Sequence, residues 1–158
     1  MAVQVAVCGP SQCGRRERTL AYELGRLLAE RGAVVICGGY GGVMAAVAAG
    51  ARSRDGLVVG VLPDVDRSGA GPDLSVAIAT GLGQARNNVI VNSGDAVVVV
   101  GGSWGTLSEL ALAMRRGGVP VVQLGEGWRI VGADGREPPG VRHARTPVEA
   151  LDLTELWD

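Results

Sequence analysis

Lysine is absent from this chain of 158 residues, because all fifteen of its positively charged side chains belong to arginine. A lysine forms the Schiff base of pyridoxal-phosphate enzymes, and another contacts the phosphates in the P-loop of nucleoside triphosphatases. Gly9 and Gly14 have the P-loop separation, but Arg15 and Arg16 stand where that motif requires lysine and Ser or Thr. The sequence therefore excludes both kinds of site.

Cysteine, histidine and aromatic residues are scarce. Cys8, Cys13 and Cys37 are too few and too unevenly spaced for a disulfide framework or a zinc site. We interpret Cys8 and Cys37 as small residues buried at strand ends. His143 is the single histidine and cannot form a metal cluster without carboxylates, so we assign it a structural or exposed position. We predict no metal site and no bound cofactor.

The formal net charge is −1, and the sequence has no basic arm or patch. This charge disfavours nucleic acid as a partner. No apolar run approaches the length that spans a bilayer, and residues 1–4 are typical of the beginning of a strand rather than of a signal peptide. We therefore expect a cytoplasmic protein with no membrane partner. The length predicts one domain, residues 1–158, with a full hydrophobic core.

Aliphatic runs alternate with amphipathic segments along most of the chain. This alternation is typical of a doubly wound, Rossmann-like α/β fold, in which helices cover both faces of a mostly parallel sheet. The predicted strands are residues 3–7, 33–37, 57–62, 74–78, 96–100 and 120–124. The predicted helices are residues 15–31, 43–52 and 84–93, one that begins near Thr106, and a last one from Thr146 to about Trp157.

Two segments lack a clear helix or strand pattern. Asp134 and Gly135 give a turn signal within residues 128–145, which predicts a short hairpin or an irregular excursion. Residues 64–72 are polar and contain glycine, and we interpret them as a surface loop, with closure over a ligand as the alternative.

The helix that follows residue 145 begins with a capping box, in which Thr146 is the N-cap.

Four glycine-rich loops follow predicted strands, at residues 9–14, 38–42, 81–83 and 101–105. The carboxyl ends of parallel strands meet at one edge of the sheet, where doubly wound proteins bind their ligands. We therefore predict a ligand site at this edge. For Pro10 and Gln12, a plain tight turn is as good an explanation as contact with a ligand. The predicted ligand contacts are Gly9, Ser11, Gly39, Gly41, Gly42, Gly102, Ser103, Gly105 and Thr106.

Residues 96–116 combine an aliphatic strand, a glycine turn and a helix. Free backbone amides and the positive end of the helix dipole meet at such a turn, which makes it a candidate anion site. Glu109 has two explanations at this stage. It completes a capping box with Thr106, or it is a functional carboxylate beside the anion site.

The segment GGSWGTLSE, residues 101–109, resembles the PGGxGTxxE signature of the LOG family of nucleotide-handling α/β proteins. Fifteen positions before Gly101, Arg86 stands at the place of that family's functional arginine. The segment CGGYGGVMAAVAAGA, residues 37–51, resembles the family's GGGxxGLMGxVAxGA stretch. The resemblance implies hydrolysis of the N-glycosidic bond of a nucleoside 5′-monophosphate, with Arg86 and Glu109 as the catalytic residues.

Several positions depart from the family pattern, since Gly101 replaces proline, Ser103 replaces glycine and Asn87 replaces lysine. These segments also resemble the molybdenum cofactor carrier proteins, which share the fold and bind a phosphorylated pterin without converting it. The alternative is therefore a non-catalytic binding protein for molybdenum cofactor or a signalling nucleotide. The resemblance further implies a homodimer or a homotetramer. Proteins of the LOG family are often labelled lysine decarboxylase-like, an activity that the absence of lysine excludes when it depends on pyridoxal phosphate.

Overall fold

The computed structural model describes residues 1–157, which form a seven-stranded sheet flanked by α-helices. The strands are β1 (Gln4–Cys8), β2 (Val34–Cys37), β3 (Val58–Leu62), β4 (Val76–Ala79), β5 (Ala96–Val100), β6 (Val121–Leu124) and β7 (Val141–Ala144). The helices are α1 (Arg15–Glu30), α2 (Val43–Arg52), α3 (Arg86–Ser93), α4 (Trp104–Arg116) and α5 (Pro147–Asp152). The predicted fold class, a doubly wound α/β sheet, is confirmed.

The strands lie in the order β4-β3-β2-β1-β5-β6-β7, and each neighbouring pair is parallel. From β1 the chain builds outward to β4, and it then returns through α3 to place β5 on the other side of β1. Sheets of this type bind ligands where the winding direction changes. The topology therefore places the loop at residues 9–14 and the turn at residues 101–105 on either side of this switch point.

A hydrophobic core lies on each face of the sheet. Helices α1, α2 and α5 cover the face that includes Val35 and Val98, whereas α3 and α4 cover the face that includes Ile36 and Val97. Alternate residues of a strand point to opposite faces, so a central strand that is covered on both sides is aliphatic throughout. Strand β5, AVVVV, is accordingly buried along its whole length.

Helices α1 and α2 approach each other closely through glycine. A Cβ atom on Gly25 would lie 2.1 Å from the carbonyl oxygen of Val47, and one on Gly50 would lie 1.9 Å from that of Tyr22. Larger side chains would therefore push the helices apart, which explains why small residues dominate α2.

Within residues 1–157, no helix is both long enough and apolar enough to cross a bilayer.

The two C-terminal helices differ from their predicted bounds. Helix α4 begins at Trp104 because Ser103, rather than Thr106, is its N-cap. The last helix has the predicted N-cap, Thr146, but it ends at Asp152 and not near Trp157. The chain turns after that residue, and the sequence pattern carried no signal for the turn.

The sequence predicted a hairpin or an irregular excursion for residues 128–145, and the hairpin is wrong. Asp134 and Gly135 do form a tight turn, in which the Gly132 amide donates to the Arg136 carbonyl at 2.8 Å. The segment then ends in β7, a strand parallel to β6 that the sequence prediction missed. Strand β7 has the sequence VRHA, and this short, half-polar edge strand lacks the aliphatic run that identified the others.

Candidate functional site

The loops that follow β1, β2 and β5 pack against one another at the carboxyl edge of the sheet. The Val43 amide donates to the Pro10 carbonyl at 3.0 Å. A Cβ atom on Gly42 would lie 2.2 Å from that same oxygen, and one on Gly101 would lie 3.3 Å from Pro10 Cδ. Gly42 and Gly101 also have positive φ angles, of 61° and 77°, which favour glycine. The three loops thus form a continuous rim around the switch point.

Arg86 and Glu109 form a buried ion pair at the same edge. Arg86 is the first residue of α3, Glu109 lies in α4, and Arg86 Nη1 is 3.8 Å from Glu109 Oε1, with each side chain only 9% exposed. Arg86 Nη1 also donates to the Asn87 side-chain oxygen. The guanidinium packs against Gly38, where a Cβ atom would lie 3.0 Å from Arg86 Nη2. Arg86 Nε is buried and has no hydrogen-bond partner among residues 1–157.

Burial raises the pKa of the Glu109 carboxyl to about 7, although Arg86 and a hydrogen bond with the Cys8 thiol act in the opposite direction. Burial likewise raises the pKa of Cys8 well above its ordinary value, and the neighbouring Glu109 raises it further. The thiol of Cys8 is therefore protonated at neutral pH, whereas Glu109 exchanges between its neutral and ionised forms. A carboxyl with such a pKa can accept or donate a proton near pH 7.

The turn before α4 has the geometry of an anion site. Ser103 Oγ accepts a hydrogen bond from the Thr106 amide at 3.2 Å and lies 2.8 Å from Thr106 Oγ1. The amides of Trp104 and Gly105 lie in the first turn of the helix and therefore have no carbonyl partner within it. They remain available to a ligand at the positive end of the helix dipole. Such helix N-termini bind phosphate groups.

The N-cap position of Ser103 also settles the ambiguity about Glu109. A capping box pairs the N-cap residue with the third residue after it, which here is Thr106. Glu109 lies almost a full turn further along the helix, and its carboxyl faces Arg86 and Cys8. The capping explanation for Glu109 is therefore wrong.

The structure places the predicted ligand contacts in the loops that meet at this edge. Ser11, Gly41, Gly102 and Gly105 are exposed, whereas Thr106 is buried against Ser103. The residues so placed are Gly9, Ser11, Gly39, Gly41, Gly42, Gly102, Ser103, Gly105 and Thr106.

Two of these glycines have packing roles that the sequence did not suggest. A Cβ atom on Gly9 would lie 2.4 Å from Val43 Cγ1, and one on Gly39 would lie 2.6 Å from Leu62 Cδ2. Gly39 also has a φ of 79°. Both positions therefore require glycine for the fold, in addition to any contact with a ligand.

Sequence reasoning missed three residues of this region. Cys8 was assigned only to the core, yet its thiol bonds Glu109. Gly38 supports the guanidinium of Arg86. Trp128 donates its indole N–H to the Ser103 carbonyl at 2.8 Å, and its ring lies 5.0 Å from that of Trp104. No local pattern connects Trp128 with a turn so distant in sequence, whereas the position of Cys8 at a strand end was a usable signal.

Two known proteins resemble this chain in sequence. An uncharacterized protein of Archaeoglobus fulgidus is 40% identical over 154 residues, which cover 95% of this chain and 93% of that protein. A cytokinin riboside 5′-monophosphate phosphoribohydrolase of Mycobacterium tuberculosis is 36% identical over 106 residues, which cover 65% of this chain and 57% of that protein. The chain thus spans little more than half the length of the hydrolase.

Among solved structures, the molybdenum cofactor binding protein from the phototrophic bacterium Rippkaea orientalis superposes with a TM-score of 0.88 and 33% identity, covering 98% of this chain and 96% of that one. The resemblance to LOG proteins and to molybdenum cofactor carriers, drawn from residues 37–51 and 101–109, is thereby confirmed. The sequence model of the SLOG cluster4 family matches residues 2–151. Because this match spans nearly the whole chain, the chain belongs to the SLOG cluster4 family.

Proposed function

We propose that residues 1–158 form one nucleotide-binding domain, which holds a phosphorylated, nucleotide-like ligand at the carboxyl edge of the sheet. The observation that carries this proposal is the guanidinium of Arg86, which is buried at the switch point with its Nε unpaired among residues 1–157. A buried donor without a partner costs free energy. An anionic ligand would recover that cost, and a guanidinium suits phosphate and carboxylate groups in particular.

The phosphate of the ligand would bind at the first turn of α4. The backbone amides from Gly102 to Gly105 and the hydroxyls of Ser103 and Thr106 supply donors at the positive end of the helix dipole. The loops at residues 9–14 and 38–42 would form the walls of the site, through Gly9, Ser11, Gly39, Gly41 and Gly42. Arg86 packs on Gly38, which follows β2, and Glu109 bonds Cys8 at the end of β1, so both side chains lie at the same edge of the sheet as this turn.

We further propose that the reaction is hydrolysis of the N-glycosidic bond of a nucleoside 5′-monophosphate. The oxygen of a water molecule would bond to C1′ of the ribose as the bond from C1′ to the base breaks. One proton of that water would pass to the departing base nitrogen, which yields ribose 5-phosphate and the neutral free base. An ionised Glu109 would stabilise the oxocarbenium-like transition state and orient the water. Arg86 would hold the Glu109 carboxylate in place. The name of the Mycobacterium tuberculosis relative supports this reaction.

The second candidate is a non-catalytic binding protein for molybdenum cofactor or a signalling nucleotide. The likeness to the Rippkaea orientalis structure over 98% of this chain favours it. Asn87 stands where LOG proteins have lysine, and its side chain bonds Arg86. The anion site and Arg86 would serve the carrier in the same way as the hydrolase, but Glu109 would have no role in turnover.

One experiment separates the two candidates. The purified chain and its Glu109→Gln variant are incubated with AMP and related monophosphates, and free base and ribose 5-phosphate are followed by chromatography. Product from the wild type but not from the variant supports the hydrolase. Thermal stabilisation by phosphorylated ligands without product supports the binding protein. If the wild type gives neither product nor stabilisation, both candidates fail.

We also propose that the chain assembles as a homodimer or homotetramer. The edge strand β4 exposes Val76 and Ile78, at 51% and 46%, and Leu82 beyond the strand is 52% exposed. Exposed aliphatic residues on an unpaired sheet edge support association. Light scattering should report two or four subunits for the wild type and a lower mass for Ile78→Arg. A wild type that is monomeric at high concentration would contradict this proposal.

A further inference from the structure

A cavity lies away from the Arg86–Glu109 pair, over strands β6 and β7. No helix connects these two strands in the described part of the chain, and residues 125–140 cover the sheet there instead. The cavity has a volume of about 130 Å³. Apolar side chains form most of its wall, namely Leu110, Met114, Trp128, Ile130 and Val141.

Gln123 is a buried polar residue in this wall. Strand β6 is otherwise aliphatic, with the sequence VVQL, and Gln123 is only 2% exposed. Its Nε2 lies close to Gly127, where a Cβ atom would be only 1.9 Å away. Gln123 Oε1 is buried and has no hydrogen-bond partner among residues 1–157. A buried acceptor of this kind lowers stability unless a donor reaches it.

The cavity and the Arg86–Glu109 pair lie on different sides of α4. Glu109 faces Cys8 at the end of β1, whereas Leu110 and Met114 face the cavity. Trp128 connects the cavity with the turn before α4, since its ring lines the cavity while its indole N–H bonds the Ser103 carbonyl. Glu137 and His143 are half-exposed at the cavity, and His143 Nε2 lies 3.9 Å from Glu137 Oε2. The wall is thus apolar inside and charged where it meets solvent.

We propose that this cavity is a second ligand site, which takes a small molecule with a single aromatic ring and one N–H or O–H donor. The volume matches one ring, because an apolar cavity of about 150 Å³ accommodates benzene. The ring would pack between Met114 and Trp128, and its donor would bond Gln123 Oε1 once the carboxamide, whose oxygen is closed to solvent in this structure, turns toward the cavity. This assignment does not depend on the proposed function of the Arg86–Glu109 site.

Phenol and benzene are suitable probes, because they differ by one hydroxyl donor. The chain has three methionines, Met1, Met44 and Met114, and their ¹³C-labelled methyl groups report on separate places. Met44 is buried on the opposite face of the sheet, and Met1 is fully exposed. Phenol should shift the Met114 methyl resonance saturably through the ring current and leave the other two in place. The absence of a saturable shift at Met114, or equal shifts at all three methyls, would overturn the proposal.

Variants test the cavity and the donor separately. Ala111→Phe should fill the cavity and abolish the shift, whereas Ser108→Phe, on an exposed part of the same helix, should preserve it. Gln123→Leu removes the acceptor without adding volume. The preference for phenol over benzene should fall roughly three- to tenfold in this variant, which is the net value of one hydrogen bond. An unchanged preference would show that Gln123 does not receive the donor and would overturn that assignment.

Discussion

The Arg86 guanidinium lies 3.8 Å from the Glu109 carboxylate, and only 9% of either side chain reaches solvent. The two residues come from different helices, α3 and α4, which meet at the switch point of the sheet. A buried ion pair adds little net stability, but removal of one partner leaves a charge without compensation. The pair lies at the carboxyl edge of the sheet, where doubly wound folds bind ligands, and we infer that it is retained for function rather than for folding.

Replacement of Glu109 by glutamine should change how stability depends on pH. Folding raises the pKa of Glu109 from 4.5 to about 7, so the folded state binds this proton more tightly than the unfolded state. Binding of this proton contributes about 3 kcal/mol to the free energy of unfolding below pH 4.5. This contribution is lost as the pH rises from 4.5 through 7. Glutamine does not titrate, so Glu109→Gln should gain stability relative to the wild type between pH 5 and pH 8.

Urea unfolding at the two pH values measures this gain directly. Glu126→Gln is the matched control, because Glu126 is an exposed acid with 84% of its side chain in solvent. An equal stability difference between wild type and Glu109→Gln at pH 5 and pH 8 would contradict the burial of the Glu109 charge.

Arg86→Met should destabilise the chain more at pH 8 than at pH 5. At the higher pH the ionised Glu109 would remain buried without its partner, at a cost of about 3 kcal/mol or more. At pH 5 the carboxyl is protonated and the cost is smaller. The double variant Arg86→Met/Glu109→Gln should recover much of the loss, and unfolding curves for all four proteins would measure it. No recovery at pH 8 would indicate that the two side chains act independently.

If the chain is a hydrolase, its kcat for AMP should rise with pH, with a midpoint at or above about 7. The proposed role of Glu109 requires its ionised form, and burial raises its pKa to about 7. Because kcat reflects the enzyme–substrate complex, the ionisation of free AMP does not affect its dependence on pH. Rates measured from pH 5 to pH 9 would test this, and a kcat that is already constant at pH 5.5 would rule out an essential Glu109 carboxylate.

Gly50→Ala should destabilise the fold by roughly 1–3 kcal/mol or more, because the new Cβ atom would lie 1.9 Å from the Tyr22 carbonyl oxygen. Gly105→Ala is the comparison, since its Cβ atom would find its nearest neighbour at 3.8 Å in the first turn of α4. Thermal unfolding should show Gly105→Ala to be neutral or slightly stabilised. Equal effects at both positions would contradict the close approach of α1 and α2.

The sequence predicted the sheet well where strands are buried on both faces. The run AVVVV at residues 96–100 is unambiguous, because only a central parallel strand requires such continuous burial. Glycine turns follow three of these buried strands. They predicted the rim of loops because the carboxyl ends of parallel strands meet at one edge of the sheet. Strand β7 was missed because an edge strand is half exposed, and its sequence VRHA has no aliphatic run. Its place is set by pairing with β6, which is a non-local interaction.

The ion pair could be anticipated only in part. The sequence indicated Arg86 and Glu109 separately, by resemblance, but their contact depends on how α3 and α4 cross the sheet. The sequence indicated Thr106 as the start of α4 because Thr106 and Glu109 fit a capping box, whereas the N-cap is Ser103, whose side chain is equally suitable. The cavity beside Gln123 had no sequence signal, because it depends on the missing helix between β6 and β7.

If the carboxyl edge of the sheet binds a phosphorylated ligand, a ¹H–¹⁵N correlation spectrum should locate it, because glycine amides are resolved and occur at both edges of the sheet. AMP and inorganic phosphate should shift the amides of Gly41, Gly102 and Gly105 saturably and leave Gly32 and Gly117, which precede β2 and β6, in place. If neither ligand moves the first group, or if both groups move equally, the claim is wrong.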